Sequence, residues 1–136
     1  MSTAQNLSYS AIQVVHNFGA VATVAGSLIA RRVRDNVARR KLAQLVLVGW
    51  LTQAVSGATF GMVSYYYYHQ FPDISGIAIV ALLIKMACAT LGIALLIIYL
   101  WQSTRWSERG KEKAWASSSA LAITAISAAA FLRWFA

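Results

Sequence analysis

The sequence predicts an all-α integral membrane protein, an up-and-down bundle of four transmembrane helices forming a single domain over residues 1–136. Three observations predict it. Hydrophobic residues make up 59% of the chain and charged residues only 12%, with a single proline, a composition foreign to ordinary soluble domains. Four apolar runs each reach the length of about 20 residues that a helix needs to cross a hydrocarbon core about 30 Å thick. The basic residues are bunched between those runs rather than spread over a solvated face. Of the 12 Lys and Arg, six are Arg31, Arg32, Arg34, Arg39, Arg40 and Lys41, and four are Arg105, Arg109, Lys111 and Lys113. The formal charge of +8 therefore points away from nucleic acid, whose binding needs cations displayed across one surface with aromatics between them.

The first run spans about residues 10–30. The segment before it, MSTAQNLSYS, carries no basic side chain, and the run ends in Arg rather than at a small-residue cleavage site, so it is expected to stay as a helix. Gln13, His16, Ala20, Thr23 and Ser27 recur at helical spacing with Asn17 beside His16, which predicts a polar or small face turned into the bundle.

The second run spans about residues 42–66 and offers a matching stripe of Gly49, Gln53, Ser56, Gly57 and Phe60. Gly57 and Gly61 form a GxxxG pair, expected to serve packing inside the bundle in preference to contact with a partner helix. The run leads into Tyr65, Tyr66, Tyr67 and Tyr68, which read as an interfacial aromatic belt in preference to a stacking or redox platform, and then into a link containing Pro72.

The third run spans about residues 74–101 and holds Lys85 and the lone Cys88, which is expected to be an apolar filler. The fourth spans about residues 114–135, where Ala116, Ala120, Thr124 and Ala128 recur every four residues and predict a close helix contact.

Loops rich in Lys and Arg stay cytoplasmic, so the basic stretches around 31–41 and 105–113 are expected inside and both termini outside. In a bacterium this is a multi-pass protein of the inner membrane with periplasmic termini. Trp134 would join the tyrosines in the outer belt, while Trp101, Trp106 and Trp115 mark the inner one.

A charge at the bilayer centre costs at least about 2.5 kcal/mol, so intramembrane ionisable groups are the best functional pointers. There are two. His16 lies about 9 Å, and Lys85 about 12 Å, below the outer surface, so they can share one level. The four acids, Asp35, Asp73, Glu108 and Glu112, all fall at loops or interfaces, which leaves Lys85 without an intramembrane carboxylate. The lysine can be neutral, can snorkel outward, or can pair with an anion supplied by a cofactor, a substrate or another subunit. His16 can be a packing residue bonded to a neighbouring hydroxyl or amide, a ligand of haem iron or copper, or a proton-transfer group. His69 is the only other histidine; a helix continuing from Lys41 would carry it about 42 Å, near or above the headgroups, so a single-histidine site on His16 is easier to build than a shared one.

Two segments, Val15-His16-Asn17-Phe18-Gly19-Ala20 and Leu82-Leu83-Ile84-Lys85-Met86-Ala87, carry a family resemblance. The arrangement resembles the membrane domain of the copper-resistance protein D family and, more distantly, the haem-binding membrane protoporphyrinogen oxidases of bacteria. The similarity covers about three helices and rests on few residues. The Trp-Gly pair that often follows the histidine in those families is replaced here by small apolar residues from Ala22 to Gly26, and the Asn-Glu-Pro-type segment of the oxidases has no counterpart. Beyond Met1, only Met62 and Met86 are available as thioether ligands. The resemblance implies a haem b or copper site at His16.

No phosphate-cradling loop, paired carboxylates or nucleophile with an adjacent base is present, so an independent enzyme is not expected and no catalytic residue is assigned. The expected role is a membrane subunit of a larger complex, or of a homo-oligomer in membrane lipid, serving electron transfer or haem or copper handling. His16, Lys85, Gln13, Asn17 and Gln53 are the candidate ligand-binding residues, with His16, and less directly His69, as metal ligand. The alternatives are a structural or assembly subunit without cofactor and a small-solute carrier; no helix has the mid-span proline that would suggest a carrier's broken helices.

Overall fold

A computed structural model describes residues 1–136. The chain forms four long helices, α1 (Thr3–Arg32), α2 (Asn36–Tyr68), α3 (Ile77–Gln102) and α4 (Glu108–Phe135), with one 3₁₀ turn at Ser103–Arg105. Each is long and apolar enough to cross a membrane. Sequence neighbours pack side by side and α1 closes the ring on α4; the α1–α2 and α3–α4 pairs make the most extensive contacts.

α1, α2 and α4 start ahead of the predicted apolar segments, each with a side-chain cap, whereas α3 starts three residues inside its segment, after Gly76 and with no side-chain cap. Asp35 accepts hydrogen bonds from the amides of Val37 and Ala38 at the start of α2, Ser107 accepts one from Gly110 at the start of α4, and Ser2 accepts one from Gln5 at the start of α1. Arg31 and Arg32 occupy the last turn of α1, where cations offset the partial negative charge of a helix C-terminus. The basic stretches are thus mostly helix, leaving only residues 33–35 between α1 and α2.

The interior is made of small residues and the exterior of large ones. Eight alanines are buried, against one leucine (Leu96), one valine (Val46) and no isoleucine, while many Leu, Ile, Val and Phe side chains are exposed. Helices that share an apolar solvent gain nothing by hiding leucine from each other, so small residues and close backbones hold them. Glycines set the crossings. A Cβ on Gly19 would sit 3.1 Å from Gly49 O, and one on Gly49 would sit 3.0 Å from Gly19 O, so α1 and α2 touch backbone to backbone there. Gly92 of α3 receives the indole of Trp50, which fills the space that a Cβ would take.

Polar contacts fix the bundle at the end that carries the two shortest connections. Arg39 is buried, donates to the carbonyl of Ala30 at 3.3 Å and pairs with Glu108, joining α2 to α1 and α4. Ser27 and Ser118 bond at 2.7 Å between α1 and α4, and Lys111 donates to Asn36 Oδ1 at 3.1 Å. At the other end α2 leans on α1, with Gln5 donating to the Tyr68 hydroxyl at 2.7 Å and Tyr9 bonded to Ser64 at 2.8 Å.

Three expectations are corrected. A methyl group placed on Gly57 or on Gly61 would meet no atom within 4 Å, so the GxxxG pair faces outward and internal packing uses Gly19, Gly26, Gly49 and Gly92 instead. Ala116, Ala120 and Thr124 lie outside the core, and of that stripe only Ala128 is buried. A four-residue step drifts about 40° around the helix, so three steps carry the stripe about 120° from where it began. Trp115 is 1% exposed and packs on Tyr99 with ring centroids 5.1 Å apart, a core residue rather than a belt residue. Trp101 and Trp134 are exposed, as are Tyr65, Tyr66 and Tyr68.

The glycine contacts yield a paired prediction. Gly92→Ala drives a methyl into a rigid indole and is expected to lower stability by about 1–3 kcal/mol, whereas Gly57→Ala, which meets nothing, should leave it within about 0.5 kcal/mol. Thermal unfolding of both variants in mild detergent, followed by tryptophan fluorescence, checks it; equal effects would place Gly92 outside the helix contact.

Candidate functional site

The close crossing at Gly19 and Gly49 sets the register that builds the site. One turn before Gly19, His16 points from α1 into the bundle and is buried. Its Nδ1 lies 2.6 Å from Ser56 Oγ on α2, and its backbone carbonyl accepts a hydrogen bond from Gln53 Nε2. Phe60, one turn beyond Ser56, presents its ring edge-on to the imidazole at 5.9 Å between centroids.

The hydrogen bonds fix the histidine tautomer by elimination. Ser56 Oγ lies 2.5 Å from the carbonyl of Thr52, which can only accept, so the serine spends its proton there. Ser56 Oγ must then accept from His16, which places the imidazole hydrogen on Nδ1. Nε2 is left as the basic nitrogen with its lone pair in the bundle interior. Lys85 Nζ lies 3.0 Å from Nε2 and donates to it. The result is a directed chain of donors, Lys85 to His16 to Ser56 to the Thr52 carbonyl, reaching across three helices.

His16 and Lys85 are therefore brought to one level and into direct contact. Lys85 does not snorkel toward the helix end; its stem reaches into the bundle, and its partner is an imidazole rather than a carboxylate. The only ion pair in the protein is Arg39 with Glu108, at the opposite end of α2. Gln53 belongs to the site through the His16 carbonyl.

Gln13 and Asn17 do not. Both are exposed, and Gln13 Nε2 donates to Asn17 Oδ1 at 2.7 Å on the outer surface of α1. The expected inward face of α1 runs instead through His16, Gly19, Thr23, Gly26 and Ser27, all buried. Gln13 is one turn from His16, but the helix turns about 300° over three residues, enough to rotate it off a narrow buried stripe.

His69 is also set apart. It caps the end of α2 in the left-handed conformation, with φ of 55°, and is exposed. It lies thirteen residues beyond Ser56, which puts it about 20 Å along α2 from the level of His16. The structure thus forms no two-histidine site. No cluster of three or more His, Cys, Asp and Glu side chains suited to a metal ion occurs either, and Cys88 is a buried free thiol.

Sequence reasoning assigns no role to Ser56. It stands in the α2 stripe, but nothing in its spacing distinguishes a serine that orients a histidine from one that bonds only to its own helix, as Ser127 does to Ile123. Its position forty residues from His16 becomes informative only once the glycine crossing sets the register between α1 and α2.

The Lys85–His16 contact is testable through additivity. In a double-mutant cycle, Lys85→Met and His16→Phe are expected to show a coupling of about 1–3 kcal/mol, because each substitution alone strands the other's polar atom in the interior. Unfolding of the four proteins in one detergent measures it. Additivity within about 0.5 kcal/mol would mean that the two side chains do not interact.

Comparison of the chain with protein-family models, with curated proteins and with solved structures finds no match.

Proposed function

We propose that the protein is an integral membrane subunit that serves electron transfer or haem handling in a larger membrane complex, with His16 as the ligand-bearing residue. One observation carries this reading. The Ser56 hydrogen bond holds His16 Nδ1 as the donor, which leaves Nε2 as a neutral, buried nitrogen beside a lysine amine that has no carboxylate of its own. Such second-side orientation by a hydrogen bond is what metal-ligating histidines require.

The donor set favours haem over a bare copper ion. Copper needs several protein ligands, and the contacts around His16 offer one imidazole and a lysine, with no group of three or more His, Cys, Asp and Glu side chains anywhere in the bundle. Haem brings four ring nitrogens and asks the protein for one or two axial ligands. His16 Nε2 would be that ligand, and Lys85 would meet a propionate, the kind of anion that a buried ammonium lacks here. The bound group would supply one-electron chemistry at its iron. The chain's own residues hold the imidazole: Ser56 fixes its tautomer, Gln53 ties its backbone to α2, and Phe60 flanks the ring.

The subunit reading is supported by polar and small groups on the outer surface. In lipid, the exposed Gln13–Asn17 amide pair and the open Gly57 and Gly61 suit contact with a further helix better than contact with acyl chains. We further assign the protein to a bacterial inner membrane, with both termini periplasmic, on the gathering of ten cations at the end of the bundle where α1 meets α2 and α3 meets α4.

Two measurements follow. After expression with haem supplied, the purified protein is expected to show a Soret band that His16→Ala abolishes and His69→Ala largely preserves. Equal loss in both variants would indicate a two-histidine site, and a colourless wild-type protein would end the haem reading. For orientation, a reporter active only in the periplasm is expected to be silent when inserted near Asn36 and active at either terminus; the reverse pattern would invert the topology.

A further inference from the structure

The basic end of the bundle holds a feature that neither the ring packing nor the His16 site uses. Arg31, at the end of α1, faces Arg109 and Lys113, one turn apart on α4, across a hollow of about 380 Å³ whose remaining lining is Glu112 and Ala116. Three cations and one carboxylate share this space, yet none is in an ion pair: Glu112 does not come within salt-bridge distance of any of them, and the protein's one such pair, Arg39 with Glu108, lies outside the hollow. Convergent cations from two helices repel each other unless an anion sits among them, and this chain does not provide it.

The surroundings specify what kind of anion. The hollow lies where α1 ends and α4 begins, the level at which the bundle passes from apolar to charged surface. Below it, Ala116 of the hollow's own lining is followed along α4 by Ala120 and Thr124, small side chains that lie outside the core. On α1, Leu28 lies one turn below Arg31 and is 40% exposed. A soluble phosphate would use the cations alone. An anionic phospholipid would use both parts, its phosphate among Arg31, Arg109 and Lys113 and an acyl chain along Ala116, Ala120 and Thr124.

We propose that this hollow is a binding site for the headgroup of an anionic phospholipid at the cytoplasmic membrane edge. Arg31 and Arg109 present planar forks that suit phosphate oxygens, and Lys113 adds a point charge. The site requires only that the bundle be inserted in a membrane and is independent of any cofactor at His16.

The test is lipid retention. The full chain is reconstituted in nanodiscs of equal phosphatidylglycerol and phosphatidylcholine, extracted in mild detergent, and its bound lipid counted by native mass spectrometry. Three variants are compared with wild type: R31Q/R109Q/K113Q, the charge-matched R34Q/R40Q/K41Q, and A116L, which narrows the hollow without changing charge. Wild type is expected to retain phosphatidylglycerol over phosphatidylcholine. Loss of direct charge-assisted contacts to the phosphate, which surface cations elsewhere do not make, should lower retention by at least about tenfold in the first triple variant. A116L should lose it too, while R34Q/R40Q/K41Q should keep it. Equal loss in the two triple variants would reduce the effect to general surface charge and overturn the site, as would retention of wild-type levels by both R31Q/R109Q/K113Q and A116L. Release of the lipid by millimolar inorganic phosphate would make it a soluble-phosphate site and overturn the lipid assignment.

Discussion

The backbone contact between Gly19 and Gly49 is the constraint on which the rest of the bundle depends. Inside a membrane, hydrophobic burial does not draw one apolar helix to another, so association rests on van der Waals contact, and that contact is best where no Cβ intervenes. With α1 and α2 touching at this point, the axial register between them is fixed. His16 then falls opposite Ser56, Gln53 reaches the His16 carbonyl, and at the far end Arg39 reaches Ala30. A methyl group on either glycine would meet atoms at 3.0–3.1 Å and push the helices apart, and every one of these bonds spans the same gap.

Around that contact the two ends of the bundle do different work. Toward the basic end the core is filled by Trp50, Trp115, Leu96 and Tyr99, with Arg39 and Glu108 tying α2 to α4. Toward the tyrosine end the last buried residue of α2 is Ser56, and every hydrogen bond or ring contact that α2 makes to another helix beyond Ser56 goes to α1. Lys85 meets His16 where the filled half gives way to the sparser one.

The fold is legible in the sequence because membrane helices announce themselves by length and by charge at their ends, and each of the four runs is a helix. The level of the site is legible as well, since counting residues from the apolar boundaries puts His16 and Lys85 together. The faces are harder. Gln13 and Asn17 sit at helical spacing from His16 but turn outward, and Gly57 and Gly61 match a packing motif but touch nothing. Polarity and smallness are shared by inward and outward positions in this chain, so periodicity alone does not choose between them. The choice lies in which glycines meet across the interface, and Gly19 and Gly49 carry no local mark that separates them from Gly57 and Gly61. Arg39 reads in the sequence as one more loop cation that sets topology, and its burial against Glu108 depends on a partner nearly seventy residues away.

The same hydrogen-bond chain explains why a lysine without a carboxylate can sit inside such a bundle. Lys85 has a long, flexible stem, and its Nζ donates to an imidazole nitrogen whose tautomer Ser56 has already fixed. Removing Ser56's hydroxyl would free the ring to place its proton on either nitrogen, and the acceptor facing Lys85 would no longer be assured. The nitrogen that Lys85 occupies is also the one that a metal would need, so any ligand of His16 must move the ammonium aside. A ligand carrying its own anion makes that movement favourable, because the displaced cation finds a charge partner in a medium where unpaired charge is costly. A ligand without one leaves the ammonium stranded. On the His16 side the contact between the two residues rests on Ser56 and on the α1–α2 register that Gly19 and Gly49 set.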